Sequence, residues 1–190
     1  MSDLTFDPPT GAACGKVQLV VDAEHQRRVV VEGMLKAKVS LAIATADFKA
    51  MLVPQPGSRR APSIVAHLIR LAKRGVEVRV LHAGVPSAAA LQELRGELPR
   101  NLTIRRCPRL HAKAVIVDAG AMYLGSANLT GAGLGAKADH RRNIEWGVWS
   151  ESATMIDAVL QQFNALWEGD RCRGCGRRDV CPVPLEEPRL

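Results

Sequence analysis

Residues 111–128 constrain the fold of this chain most, because two apolar runs there are framed by polar residues at fixed spacing. The first run, residues 112–117, is apolar and rich in β-branched side chains, which favour a strand. Gly120 permits a turn, and residues 121–124 form a second apolar run that can pair back. The pattern therefore predicts a β-hairpin whose open end carries polar residues.

Four polar side chains are brought together by this hairpin. His111 and Lys113 are two residues apart at the start of the first strand, so both project to one face. Ser126 and Asn128 are two apart at the exit of the second strand and can meet them. A base or nucleophile, a cation and neutral donors can together stabilise the charge of a phosphoryl group. No Asp/Glu cluster suited to Mg²⁺ is evident in the sequence, so the chemistry is expected to need no cofactor.

Short apolar strands alternate with amphipathic helices along the rest of the chain, which predicts an α/β fold. We expect a mixed, largely parallel β-sheet flanked by helices on both faces. The predicted strands are residues 16–21, 40–46, 76–81, 102–106, 112–117, 121–124 and 143–149, and the predicted helices begin at Asp22, Ser63, Pro86 and Ser152. These elements form one domain over residues 16–167, between an N-terminal arm (1–15) and a Cys-rich tail (168–190).

The composition is that of a globular protein with a polyanionic partner. Of 190 residues 47% are hydrophobic, which is enough for a full core, and the formal net charge is +7. An excess of Lys and Arg favours nucleic acid or an anionic membrane surface as the partner. The sequence shows no signal peptide and no apolar run of the about 20 residues that a membrane span needs, so we expect a cytoplasmic protein.

The spacing His111-x-Lys113-x4-Asp118-x6-Gly125-Ser126-x-Asn128 resembles the signature of the phospholipase D superfamily, with every fixed position present. The resemblance implies the phospholipase D-like fold over residues 16–167. A single copy of the motif is similar to that of the bacterial single-motif nucleases of this superfamily, in which two chains pair so that two motifs meet at a two-fold axis. We therefore expect a homodimer that cleaves DNA or RNA.

This resemblance implies a two-step displacement without metal. His111 attacks phosphorus and forms a phosphohistidine, and His111 of the partner subunit protonates the leaving oxygen and then activates water. Lys113 and Asn128 hold the non-bridging oxygens, and Ser126 donates a further hydrogen bond.

Two carboxylates complete the predicted site. A histidine nucleophile needs a fixed tautomer, and the family places a Glu on a strand after the motif. Glu145 matches that place and is predicted to hold the second nitrogen of His111. Asp118 belongs to the signature, and its role in the family is more structural than chemical.

The tail contains a second pattern, Cys172-x2-Cys175-x5-Cys181, which predicts a metal site. Cys14 is the preferred fourth ligand, because the N-terminal arm can fold against the tail, and Cys107 is the alternative. The order of one early cysteine followed by Cys-x2-Cys-x5-Cys resembles the iron–sulfur staple of certain RecB-type nucleases. It favours a structural [4Fe-4S] cluster, with zinc or metal-free thiols as the alternatives.

Five arginines in predicted loops are candidates for binding a phosphodiester backbone. They are Arg59, Arg60, Arg109, Arg141 and Arg142. Aromatic residues are scarce, so recognition of the backbone with little sequence preference is expected.

Three functions remain open from the sequence. The first is a metal-independent nuclease, the second a phospholipid phosphodiesterase. The third is a non-catalytic nucleic-acid-binding subunit of a DNA-modification or defence system, which would act with partner proteins. The lack of an apolar interfacial helix disfavours the lipid substrate.

Overall fold

The structure is a computed structural model that describes residues 16–54 and 61–181. Within these residues, seven strands form one sheet, in the order β1-β7-β6-β5-β2-β3-β4. The strands are β1 (Val17–Val21), β2 (Ser40–Thr45), β3 (Glu77–His82), β4 (Leu102–Arg106), β5 (Ala114–Val117), β6 (Ala121–Gly125) and β7 (Trp146–Ser150). The helices are α1 (Ile64–Lys73), α2 (Ala88–Leu94) and α3 (Ala153–Trp167).

The mixed α/β fold is confirmed, but the prediction of a largely parallel sheet is wrong. Only β2 with β3 and β3 with β4 pair in parallel. The other four pairs are antiparallel: β5 and β6 form a tight hairpin, β7 returns beside β6 after a longer connection, β5 lies beside β2, and β1 pairs with β7 at the edge. The predicted hairpin is the β5–β6 pair.

Helices cover both faces of the sheet, as the sequence predicts. On one face α1 and α2 bury Leu68 and Leu94 against the sheet, together with the segment after β1. On the other face α3 buries Ile156, Phe163 and Trp167. Two hydrophobic cores therefore clamp the central strands, which hold the polar end of the hairpin in place.

Local sequence signals explain where most helices begin. The Ser63 side chain accepts a hydrogen bond from the Ala66 backbone N–H (3.0 Å) and caps α1, and Gly75 (φ +94°) follows its end. Ser87 caps α2 in the same way, and the helix ends at Leu94.

The helix predicted from Asp22 is present, but it is a π-helix at Gln26–Val31 followed by a short 3-10 helix at Met34–Lys36 rather than a regular α-helix. Three consecutive valines, 29–31, and then Gly33 are poor helix formers, so packing against the sheet decides the backbone there. Throughout residues 16–54 and 61–181, none of the helices combines the length and the apolar character needed to cross a bilayer.

Candidate active site

The signature residues other than Asp118 converge where β2 and β6 end and β5 and β7 begin. The Gly125 backbone N–H donates to the carbonyl of Lys113 (3.1 Å), which aligns the two ends of the hairpin. The Ser126 N–H donates to the carbonyl of Trp146 (2.9 Å), which adds the start of β7. Strand pairing alone therefore brings together residues from four parts of the chain.

Lys113 and His111 are in direct contact. The Lys113 ammonium lies 3.2 Å from Nδ1 and 3.3 Å from Nε2 of the His111 ring, and donates to the His111 carbonyl (2.9 Å). His111 is exposed, whereas Lys113 keeps only 8% of its surface exposed. An accessible imidazole thus lies beside a cation that is largely withdrawn from water.

The buried charge of Lys113 is balanced by Glu145. Burial lowers the pKa of Lys113, and the Glu145 carboxylate nearby acts in the opposite direction. Glu145 is itself buried. The pair therefore places a compensated ammonium beneath the exposed histidine, where it can meet a phosphate oxygen.

Glu145 also organises the hydrogen bonds around it. One carboxylate oxygen accepts a short hydrogen bond from the Ser126 hydroxyl, and the other accepts from Asn143 Nδ2 (3.0 Å). The Glu145 backbone N–H donates to the side chain of Asp22 (3.1 Å). Within the described part of one chain the predicted bond from Glu145 to His111 is not made, so its role toward His111 stays a prediction.

Asn128 is fixed by the end of β2. Its side-chain oxygen accepts from the backbone N–H groups of Ala46 and Asp47, both at 3.1 Å. Because the side-chain oxygen of Asn128 faces these two N–H groups, its NH₂ group points away from them. Thr45 supports the same loop, since its hydroxyl accepts from the Leu129 N–H (2.9 Å).

A buried chain of hydrogen bonds that the sequence did not predict supports the loop at Ala127. The Tyr123 hydroxyl accepts from the Ala127 N–H (3.2 Å) and bonds Nε2 of His25 (2.9 Å), whose Nδ1 donates to the Asp22 carbonyl (2.9 Å). Burial raises the pKa of Tyr123 to about 12 and lowers that of His25, so both are neutral at pH 7.

Two glycines make room for the Tyr123 ring. A Cβ on Gly125 would lie 2.3 Å from the Tyr123 hydroxyl, and one on Gly147 would lie 2.2 Å from a ring carbon. The two glycines are paired across β6 and β7. Gly125 of the signature therefore allows the Tyr123 ring to pack directly against the backbone. The only sequence signal for this packing is that the chain has a single tyrosine, with glycines that pair beside it.

Asp118 lies at the far end of β5 and fastens the segment before β2. Its carboxylate accepts from the backbone N–H groups of Val39 (2.7 Å), Ser40 (2.9 Å) and Lys38 (3.0 Å). Partial burial alone would raise the pKa of Asp118, but these hydrogen bonds outweigh it and hold the pKa below its usual value. The geometry assigns Asp118 a structural role.

The predicted arginines differ in how available they are. Arg141 and Arg109 are exposed, and Arg109 donates to the sulfur of Cys175 (3.5 Å). Arg142 pairs with Asp139 and donates to the carbonyl of Lys137 (3.4 Å), which commits it to its own loop. Arg59 and Arg60 lie outside the described residues.

The tail cysteines lie beside this site. Cys172, Cys175 and Cys181 line a cavity of about 250 Å³ together with Cys107, and the same cavity reaches His111. Cys14, the preferred fourth ligand, lies outside the described residues. Over residues 16–54 and 61–181, no three side chains of His, Cys, Asp or Glu are already grouped as a metal site.

Comparison with known proteins connects this geometry to a family. The sequence matches the family model described as "Cardiolipin synthase, PLD-like domain" over residues 30–167. Comparison with curated proteins gives no match.

Solved structures show the same fold at low sequence identity. The chain is similar to Nuc from Salmonella typhimurium, a phospholipase D family member (TM-score 0.61, 22% identity, 81% of this chain and 95% of that chain). It is similar to NucT from Helicobacter pylori (TM-score 0.61, 18% identity, 81% and 96%). A third structure, the archaeal chromatin protein TrmBL2, described with a novel mode of DNA binding, has a TM-score of 0.52 (16% identity, 80% and 52%).

The family model covers most of the chain, and the fold agrees with that of a solved phospholipase D family member. The chain therefore belongs to the phospholipase D-like domains of the cardiolipin synthase family.

Proposed function

We propose that this protein is a homodimeric, metal-independent nuclease that cleaves phosphodiesters through a phosphohistidine. The observation that carries the proposal is the contact between the exposed imidazole of His111 and the buried ammonium of Lys113. Ser126, Asn128 and Glu145 lie at the same end of the sheet. Phosphodiester cleavage is the shared chemistry of the family, and the nucleic-acid substrate is our own step beyond it.

The reaction we propose is the one that the resemblance to the phospholipase D superfamily implies. A ring nitrogen of His111 attacks phosphorus, the N–P bond forms, and the bond to the leaving oxygen breaks. His111 of the partner subunit gives that oxygen a proton and then takes one from water, whose oxygen displaces His111 from phosphorus. The Lys113 ammonium and the Asn128 amide stabilise the charge on the non-bridging oxygens in both steps.

The rim of the site supports pairing with a second copy. Ile144 and Trp146, on either side of Glu145, are 83% and 68% exposed. Large apolar side chains at such exposure are typical of surfaces that a partner covers. A second chain at this rim would bring its own His111 to the first, which the two-step reaction requires.

Charge supports a polyanionic substrate, and we infer that this substrate is nucleic acid. The chain has a formal net charge of +7, and Arg109 and Arg141 are exposed near the site in sequence. Such cations bind a phosphodiester backbone without reading bases. The alternative, a phospholipid substrate, is favoured by the exposed apolar side chains of Ile144 and Trp146 at the same rim.

The proposal is tested by measuring hydrolysis, with EDTA present, of four substrates: DNA, RNA, a bis-aryl phosphate and a phosphatidyl lipid in micelles. We expect nucleic acid and the aryl diester to be cleaved. His111→Asn should lower turnover by about a thousand-fold or more, as loss of a nucleophile does. His140→Asn, which changes another exposed histidine, is the matched control and should leave turnover unchanged.

Two results would contradict it. If only the lipid is cleaved, the substrate is a phospholipid and not nucleic acid. If DNA is bound in a salt-sensitive way but no diester is cleaved, the protein is better explained as a non-catalytic nucleic-acid-binding subunit.

Subunit mixing tests the dimer. When equal amounts of wild type and His111→Asn exchange subunits at random, about a quarter of the dimers are wild type in both chains. Activity near one half would show that each chain works alone.

A further inference from the structure

Four cysteines from distant parts of the sequence face one cavity. Cys107 follows β4, whereas Cys172, Cys175 and Cys181 come after α3, yet all four line the same space of about 250 Å³. Convergence of four thiols from two segments is not expected of residues that merely sit on a surface. Cysteine is the softest donor that a protein offers, so the cavity has the chemistry of a metal site.

The backbone shapes the cysteines for ligation. In the sequence Cys172-Arg173-Gly174-Cys175 the Cys175 N–H donates to the carbonyl of Cys172 (3.2 Å), and Gly174 has φ +69°. This tight turn, which a glycine at positive φ permits, holds the Cys-x2-Cys pair together, a ligand spacing typical of structural metal sites.

Cys107 is held just as firmly on the other side of the cavity. Its N–H donates to the carbonyl of His82, the last residue of β3 (2.8 Å), and its carbonyl accepts from the Leu110 N–H (2.9 Å). The turn that contains Cys107 leads directly to His111.

The tail that supplies the other three thiols has no apolar core of its own. None of its described residues after Trp167 belongs to either hydrophobic core. Where side chains are described over residues 168–181, only Gly169 and the three cysteines are not exposed. A segment that turns its cysteines inward without an apolar core is typical of one that folds around a metal.

A cation also lies at the cavity. The Arg109 guanidinium donates to the Cys175 sulfur at 3.5 Å. A positive charge at this place can offset the negative charge that four thiolate ligands bring to a metal centre.

We propose that Cys107, Cys172, Cys175 and Cys181 are the four ligands of a thiolate-bound metal centre, with Cys107 in the place first given to Cys14. The thiols line a cavity rather than closing on a single point. Zinc would draw four sulfurs to about 2.3 Å from one ion, whereas a [4Fe-4S] cluster occupies a larger space. Four thiols around this cavity fit either group, and the metal content distinguishes them. The centre ties the tail to the turn before His111, and its existence does not depend on the proposed nuclease function.

The test is metal content of the full chain, purified without oxygen after growth with iron and zinc supplied. We expect one centre per chain, either about four iron and four sulfide with broad visible absorption, or about one zinc. Cys107→Ser should lose most of this metal. Cys14→Ser is the matched control and should keep all of it, because the proposal leaves Cys14 outside the site.

A readout on the wild-type chain covers the case in which Cys107→Ser does not fold. Alkylation followed by mass spectrometry should find the four ligand cysteines protected and Cys14 modified. Removal of the metal should then expose all four. The proposal is overturned if the purified chain holds no stoichiometric metal, if Cys14→Ser loses the metal while Cys107→Ser keeps it, or if Cys107 is alkylated as readily as Cys14.

Discussion

Replacing Asp118 separates a structural role for this signature residue from a chemical one. Its carboxylate accepts three backbone N–H groups, from Lys38, Val39 and Ser40. It stands five residues from Lys113, at the opposite end of β5, which is about 16 Å along an extended strand. At that distance the carboxylate cannot touch a phosphate group held by His111.

The size of the effect follows from these contacts. Asp118→Asn keeps a neutral acceptor, and hydrogen bonds to a charged group contribute about 1 kcal/mol more each than neutral ones. Because water can reach part of this segment, we expect a loss of about 1–3 kcal/mol in the free energy of unfolding. Asp118→Ala loses every acceptor. Since φ at Asp118 is +52°, where Asn is tolerated better than Ala, it should cost about 1–2 kcal/mol more than Asn.

Urea unfolding followed by tryptophan fluorescence, at one fixed protein concentration, measures both losses. The control is Asp157→Asn, an exposed carboxylate on α3, which should stay within about 0.5 kcal/mol of wild type. Turnover of a diester by folded Asp118→Asn should stay within a few-fold of wild type.

The dependence on pH has a defined sign. The pKa of Asp118 in the folded chain is lowered from 3.8, so the folded state binds fewer protons than the unfolded state in that range. The free energy of unfolding that wild type has in excess of Asp118→Asn is therefore fully present above pH 3.8. This excess disappears as the pH falls through the pKa of Asp118 in the folded chain. Unchanged stability together with lost turnover in Asp118→Asn would refute this reasoning and give the carboxylate a chemical role.

Further predictions concern the buried hydrogen bonds that support the loop at Ala127. Tyr123→Phe leaves the Ala127 N–H and a His25 nitrogen without their partner, so urea unfolding should show a loss of about 2–4 kcal/mol; a loss below about 0.5 kcal/mol would contradict the role of the hydroxyl. Because burial lowers the pKa of His25, stability should fall as the pH drops below 6.5, and less so in His25→Asn, as pH-dependent unfolding would show. Gly147→Ala should cost about 1–3 kcal/mol and lower turnover, whereas Gly96→Ala, where a Cβ meets nothing within 4 Å, should be harmless; equal effects would show that Tyr123 needs no such space.

The sequence predicted the elements that depend on local signals. Ser63 and Ser87 cap their helices, and the apolar runs around Gly120 form the β5–β6 hairpin, because each signal acts within a few residues. The fold class followed from the alternation of strands and helices. The direction of strand pairing could not be predicted in this way, because it depends on which strands become neighbours in the folded chain. Nothing in the sequence of Val17–Val21, for example, indicates that β1 pairs with β7.

The candidate site shows the same division. The spacing from His111 to Asn128 places those residues on one hairpin, so their convergence could be predicted. Tyr123 and His25 meet across 98 residues, and only the folded chain reveals that contact. Cys107 lines one cavity with the tail cysteines, and this proximity could not be predicted because it depends on where the turn after β4 lies in the folded chain.

The pairing of β1 with β7 also sets when the site can exist. The Glu145 N–H donates to the side chain of Asp22, which lies 123 residues earlier in the chain. The Glu145 carboxylate therefore takes its position only after β7 has paired with β1 on one edge and with β6 on the other. Loop closure over such a separation is slow compared with forming the β5–β6 hairpin. The hairpin that carries His111 and Lys113 can thus form as soon as β6 has been synthesised, whereas Glu145 takes its place only once β7 has followed and has paired with β1 and β6.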